Sequence, residues 1–291
     1  MLSLHTNSAA LSAQSSISKT QQSLSTSMTR LSTGFRINSA MDDAAGLQIA
    51  TRLSAQTSGM AVAMRNTQNS TSLLQTAEGA FGEVTSMLVR MKDLATQAAD
   101  ASSNQKDREA MQGEYDALGA ELYNVMTNTR YGGALLLGNG SAGMGTLSQA
   151  LTFQIGATGS ETMQFSVAGD MGALNAALQA ISVNFAPGAT AGSEFASNSS
   201  ANGMIDMLAA AVDKVGSVRS ALGATANRLG HIYNNLSNMI TNTRTAIGRI
   251  MDVDYAAESA NMTSAQMLLQ ASTAMLKQSQ SMSKLILSLL Q

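Results

Sequence analysis

The chain carries 2 histidines, 19 acidic residues, 17 Lys plus Arg and no cysteine in 291 residues, so any chemistry must be built from a small stock. His5 and His231 stand alone, with no H-E-x-x-H and no G-x-S-x-G framework around them. A lone His is more often a satisfied polar residue than a catalyst. Lack of cysteine removes disulfides, thiol catalysis and thiolate metal sites. Gly138-Asn139-Gly140-Ser141-Ala142-Gly143 matches the dinucleotide pattern G-x-G-x-x-G, with apolar Ala134–Leu137 before it and Glu161 well downstream. A pyrophosphate site needs a helix N-terminus directly after the glycines, to present backbone amides. Met144-Gly145-Thr146 leads instead towards short alternating segments, so a loop is expected.

Two acidic pairs fare no better. Asp42 and Asp43 are adjacent, and neighbours on a helix point in different directions, which favours a helix-start role over acid–base or metal work. Asp252 and Asp254 lack the further oxygen ligands of a calcium loop. Twenty methionines raise copper, yet most fall on helical seams, where Met is an adaptable gap-filler. No catalytic residue, metal ligand or cofactor is expected, and the chain does not read as an enzyme.

The elements that would have to position any site are long helices. After Ser72, apolar residues fall at Leu74, Ala77, Phe81, Val84, Leu88, Met91, Ala95 and Ala98, the alternating three-four steps of a coiled-coil seam. Met111, Tyr115, Leu118, Leu122 and Val125 continue it after Ser102-Ser103-Asn104, which offers N-cap residues. Later, Ile205, Leu208, Val212, Val215, Leu222, Ala226, Leu229, Tyr233, Leu236, Ile240, Ile247 and Ile250 keep one register, broken at Arg219 and Thr243. That helix would be roughly 70 Å long. The ends carry thinner stripes. Ala10, Ile17, Leu24 and Leu31 are spaced by sevens, with Met28 and Phe35 between and Gln14 and Gln21 interrupting. Leu268, Met275, Met282 and Leu289 form a second seven-residue series, flanked by Met262, Leu269, Leu276 and Leu290. A narrow stripe has to find another helix. Between the helices, Leu151–Ala157 and Thr162–Val167 alternate as a β-hairpin, and Met171–Val183 reads as a short helix.

Composition agrees. Charge is only 12% of the chain and the formal net charge is −2, which removes the basic footprint of a nucleic-acid binder. No acidic residue precedes Asp42 or follows Glu258, and the sole proline, Pro187, sits in the Gly/Ala/Ser/Thr-rich stretch from Asn184 to Gly203. No apolar run nears the length of a membrane span, and Met1–Ser18 has no basic residue or apolar block of a secretory signal.

The run Arg30-Leu-Ser-Thr-Gly-Phe-Arg-Ile-Asn-Ser-Ala-Met-Asp-Asp-Ala-Ala-Gly-Leu47 closely resembles the N-terminal signature of bacterial flagellin, as do Ala10-Leu-Ser-Ala-Gln-Ser-Ser and Gln75-Thr-Ala-Glu-Gly-Ala-Phe81. Arg219-Ser-Ala-Leu-Gly-Ala224, Asn227-Arg-Leu229, Arg249-Ile250, Asp252-Val-Asp-Tyr-Ala256 with Glu258, and Leu285-Ile-Leu-Ser-Leu-Leu290 resemble its C-terminal signature. The short chain and its Met/Ser-rich ends are similar to lateral-type flagellins. The resemblance implies a mainly α fold of long coiled-coil helices in which N- and C-terminal arms pair, with a small hairpin-containing outer region. The expected partition is residues 1–40 and 251–291 as the inner arms, 41–130 and 204–250 as the rod, and 131–203 as the outer region. The function implied is a structural subunit polymerising into the flagellar filament for motility. A hook–filament junction protein and a secreted helical adhesin or effector are the alternatives.

The arms would assemble through Ile17, Leu24, Met28, Leu31, Phe35, Leu268, Met275, Met282 and Leu289, folding only as copies stack. The rod seam would be Leu74, Phe81, Val84, Leu88, Leu222, Leu229, Leu236 and Ile240. The resemblance further implies export unfolded through the flagellar type III channel, an extracellular location in the filament and self-association as a helical homopolymer. An export chaperone, the filament cap and hook-junction proteins are its implied partners, with no nucleic acid and no membrane insertion. The contacts of the innate immune flagellin receptor map to Arg65, Leu88, Arg90, Leu94 and Gln97. Four places depart from the pattern: Ser283-Lys284 stands for a usual Pro-Gln, His5 in the opening Met1–Asn7 for a usual Asn, Val89 for a polar residue often found there, and Gln68-Asn69-Ser70 for the common Asn-Asp-Gly.

Overall fold

The computed structural model describes residues 7–138, 144–188 and 190–289, with side chains up to 282. His5, the glycine motif from Asn139 to Gly143, and the side chains of Ser283, Lys284 and Leu289 lie outside the described residues. In chain order the elements are α1 (Ser8–Thr33), α2 (Ala44–Ala99), α3 (Gln105–Asn128), β1 (Arg130–Tyr131), β2 (Ala134–Leu135), β3 (Leu151–Gln154), β4 (Thr162–Phe165), α4 (Ala168–Ile181), α5 (Asn198–Met251) and α6 (Tyr255–Leu289). The chain forms two compact units, residues 1–57 with 241–291, and residues 58–240.

Local chemistry sets the helix boundaries. Asn104 caps α3 in a full capping box, accepting from the Asp107 amide while the Asp107 carboxylate accepts from the Asn104 amide. Asp43 Oδ1 accepts from Gly46 N at 2.9 Å and so starts α2. Asp42 instead ties the preceding turn, accepting from the Ser39 and Asn38 amides, which hold its carboxyl below the usual carboxylate range. Helix α5 begins at Asn198, earlier than the stripe from Ile205 implies, because Ser197 and Ser200 exchange amide-to-hydroxyl bonds of 3.0 Å. Gly34 ends α1 at φ +78, a left-handed value that favours glycine, and a Cβ there would also meet the Tyr255 hydroxyl at 3.0 Å.

In the unit of residues 58–240 one core joins α2, α3, α4, α5 and the hairpin. Leu74, Phe81, Val84, Leu88, Met91, Ala95 and Ala98 of α2 are all within 1% of full burial. Strands β3 and β4 pair antiparallel with Phe153 opposite Met163, and Phe153 and Phe165 stack at 6.4 Å. A second hairpin, β1–β2, turns on Gly132 and Gly133, both at positive φ. The Gly-Gly dipeptide was its only sequence signal. Gly145 is required for another reason, since a Cβ there would overlap the Leu137 carbonyl oxygen.

Along α5, Leu208, Val215, Leu222, Leu229, Leu236 and Ile240 of the sequence stripe are buried as expected, while the alternate positions fall one residue earlier than that stripe. Its buried positions are Met204, Leu208, Ala211, Val215, Val218, Leu222, Thr225 and Leu229, with Leu236 and Ile240 further on. Ile205, Val212 and Ala226 are only half-buried. The shift removes the apparent break at Arg219, because Val218 takes the buried place. Arg219 then reaches sideways, donating from Nε and Nη2 to Glu78 Oε1 at 2.9 and 2.7 Å.

Candidate assembly interface

Within the unit of residues 1–57 and 241–291, α1 packs along α6. On α1 the positions turned from solvent are Ala10, Ala13, Ile17, Thr20, Leu24, Ser27 and Leu31, in alternating steps of three and four. On α6 they are Glu258, Met262, Ala265, Leu269, Ser272, Leu276 and Ser279. Half of this seam is small or polar, which lets the helices approach closely but leaves little apolar area between them.

The bulkiest apolar side chains are elsewhere. Leu268, Met275 and Met282 are 59%, 67% and 53% exposed, and Met267 beside them is 59% exposed. On α1, Leu11 and Met28 are 63% and 51% exposed, and Phe35, in the connector, is 44% exposed. Of the residues expected in the arms, Ile17, Leu24 and Leu31 therefore face α6, whereas Met28, Phe35, Leu268, Met275 and Met282 face away. The series Leu268-Met275-Met282 is not the seam of the helix pair. That seam runs through Met262, Leu269 and Leu276, about a third of a turn round α6 at 100° per residue. Large apolar residues repeating along one exposed helix flank make that flank the candidate assembly surface.

Polar groups pin the register of the pair. Glu258, 7% exposed, accepts from Ser27 Oγ at 2.5 Å and lies 3.7 Å from Arg30 Nη1. At the far end Asn7 caps α1 and donates from Nδ2 to Ser279 Oγ at 3.0 Å. The connectors cross as a short antiparallel bridge: Arg36 N donates to Met251 O at 2.6 Å and Val253 N to Gly34 O at 3.0 Å. Replacing Glu258 by Ala strands Ser27 and Arg30, so we expect a loss of about 1–3 kcal/mol in the helix pair. Chemical denaturation of the assembled protein, in which the pair is formed, followed by helical circular dichroism checks it, and an unchanged midpoint would contradict the role given to Glu258.

The candidate receptor contacts divide. Arg65, Arg90 and Gln97 are exposed on α2, and Arg90 Nε pairs with Glu114 Oε1 of α3 at 2.7 Å. Leu88 and Leu94 are 0% and 2% exposed in the core, so neither offers surface to a protein docking on α2. The rod-seam residues Leu74, Phe81, Val84, Leu88, Leu222, Leu229, Leu236 and Ile240 are all buried.

The polar clusters serve the fold. Gln112 of α3 donates to Asp116 Oδ1 and Glu194 Oε2, both at 2.8 Å, and accepts from Phe195 N, fastening the 182–195 segment to α3. Tyr115 donates to Ile181 O at 2.6 Å, and burial pushes its phenol up. His231 is exposed, and Asp254 accepts from the Ala256 and Ala257 amides at the start of α6. Among the described residues, no three His, Cys, Asp or Glu side chains gather as a metal site, and no helix is long and apolar enough to cross a membrane. A groove between α2 and α5, lined by Thr67, Gln68, Thr71, Ser72, Leu229, Gly230, Tyr233 and Asn234, offers hydroxyls and amides without a carboxylate, imidazole or amine.

Comparison with known proteins points the same way. Residues 4–142 match the family described as the bacterial flagellin N-terminal helical region, and residues 205–290 the bacterial flagellin C-terminal helical region. Flagellin A of Vibrio anguillarum is 32% identical over 378 aligned positions spanning 100% of both chains. Polar flagellin F of Vibrio parahaemolyticus is 33% identical, with 99% of each chain covered. These alignments are longer than the chain, so both relatives carry residues that it lacks. A solved structure from Vibrio parahaemolyticus, described as a flagellar hook-associated protein, superposes with a TM-score of 0.54, covering 72% of this chain and 100% of that one. At 16% identity that likeness concerns the fold alone.

Proposed function

The chain belongs to the bacterial flagellin family and is a structural subunit of the flagellar filament, extracellular once assembled, and on that premise we propose that it polymerises through the outer flanks of α1 and α6. The observation that carries this reading is the exposed series Leu268, Met275 and Met282, with Leu11 and Met28 on α1. A pair of helices joined by a seam that is half small or polar buries too little to repay the ordering of both helices. Neighbouring copies supply the missing area. Low charge in the arms suits stacking, because many copies along one axis would otherwise repel.

In this reading residues 1–40 and 251–291 form the inner layer, 41–130 and 204–250 the rod, and 131–203 the outer region. Contacts are head-to-tail and non-closing, which generates a helical fibre. Export precedes assembly, with the chain unfolded in the type III channel and a chaperone on the α6 segment. Filament cap and hook-junction proteins are the proposed partners at the growing and basal ends. An innate immune receptor would meet the exposed side chains Arg65, Arg90 and Gln97.

Amide exchange tests the reading directly. In soluble monomer, amides across 255–282 are expected to exchange within seconds, and in filaments seeded with sheared fragments they should be protected by orders of magnitude. Strong protection in the monomer would contradict folding on assembly.

A further inference from the structure

The chain holds 20 methionines, and those of the core and of α6 differ sharply in exposure, while Met28, Met41 and Met144 are exposed elsewhere. Met60, Met91, Met126 and Met171 are at most 2% exposed in the core of the 58–240 unit. Met267, Met275 and Met282 stand 59%, 67% and 53% exposed along one flank of α6, with Leu268 among them. Thioethers there are open to solvent-borne oxidants, whereas the core methionines are not.

We propose that the outer flank of α6 is a methionine-oxidation site, and that sulfoxide formation at Met267, Met275 and Met282 blocks polymerisation of the subunit. The proposal rests on the reading that neighbouring copies cover this flank. Chemically, a sulfur lone pair attacks one oxygen of hydrogen peroxide. The S–O bond forms as the O–O bond breaks, the departing hydroxide takes the remaining peroxide proton as water, and sulfur is oxidised by two electrons while peroxide is reduced. The product is a polar sulfoxide with a strong acceptor oxygen. Buried against a neighbour's apolar side chain, that oxygen has no donor, so the interface weakens. Solvated in the monomer it costs nothing, so the folded unit of residues 58–240 is untouched. The change is reversible, because methionine sulfoxide reductases return the thioether.

The experiment uses the full chain. Monomer is treated with hydrogen peroxide, sulfoxides are assigned to each methionine by peptide mass spectrometry, and assembly is read by sedimentation after seeding with filament fragments. Oxidation is expected first at Met267, Met275 and Met282 and the other exposed methionines, with the core four unmodified. The monomer concentration needed for growth should rise by about tenfold or more, as expected when a polar group is buried unpaired. Reductase treatment should restore it. The variant Met28→Leu, Met267→Leu, Met275→Leu, Met282→Leu keeps apolar volume without an oxidisable sulfur on either outer flank and should assemble after peroxide as it does before, and restoring Met28 alone should leave most of that resistance in place. Equal loss of assembly in that variant, or normal growth of chains carrying all three sulfoxides, overturns the proposal. Untreated chains that fail to elongate on seeds would instead overturn the assembly reading beneath it.

Discussion

Chains ending before Tyr255 are expected to form no fibres on seeds, at concentrations where the full chain elongates readily. Removing α6 deletes the exposed flank of Leu268, Met275 and Met282, and it also strips α1 of the helix it packs along. Alone, a 26-residue helix whose inward stripe includes Thr20 and Ser27 has little to stabilise it, since helices in water depend on tertiary packing. Both layers of the assembly surface are therefore lost together. The unit of residues 58–240 keeps its own core, with Phe81, Tyr115, Leu122 and Leu222 all buried, and does not depend on α6 for it. Its thermal transition should stay where it is. Sedimentation and electron microscopy read the first outcome, and calorimetry the second. Normal elongation by the shortened chain would refute the role of the arms.

Phe81→Ala should have the opposite profile, a large loss of rod stability. Phe81 is fully buried in the core that joins α2, α3, α5 and the hairpin. Truncating a phenyl ring in such a place costs about 3–5 kcal/mol, from lost transfer energy and the cavity left behind. For a unit of this size each kcal/mol lowers the melting temperature by about 2–4 °C, so a fall of about 6–20 °C is expected. Val89, eight residues on and 47% exposed, provides the control. Val89→Ala should change stability by less than about 0.5 kcal/mol. Thermal unfolding followed by circular dichroism separates the two. If both variants melt together, the burial pattern of α2 does not govern the rod.

Much of this was legible in the sequence because it depends on local geometry. Three-four spacing identifies helices whatever they pack against, Asn104 announces its cap, and alternation at Phe153 and Phe165 announces a hairpin. The blocks around Arg30–Leu47 and Arg219–Ala224 carry the family likeness in their residue order. The structure adds a physical link between two such blocks, the ion pair of Arg219 with Glu78.

What the sequence left open is rotation about each helix axis. Helix α1 could have presented Gln14, Gln21 and Met28, or their neighbours Ala13, Thr20 and Ser27. Helix α5 could have presented Val212, Arg219 and Ala226, or Ala211, Val218 and Thr225. In both, the structure chooses the second set. Each apolar stripe is wider than one seam, so periodicity locates the stripe but not its centre. The centre is decided by the partner helix: small residues where backbones approach, Glu258 where Ser27 and Arg30 can satisfy it, and Val218 inward so that Arg219 can reach Glu78. On α2 the packing buries Leu94 beside the seam residue Leu88, and on α6 it turns Leu268, Met275 and Met282 outward. The chain by itself determined that there would be long helices in need of partners. Only tertiary packing decided which side of each helix was already taken, because a one-residue change of facing turns a helix by about 100° at no cost to its own hydrogen bonds.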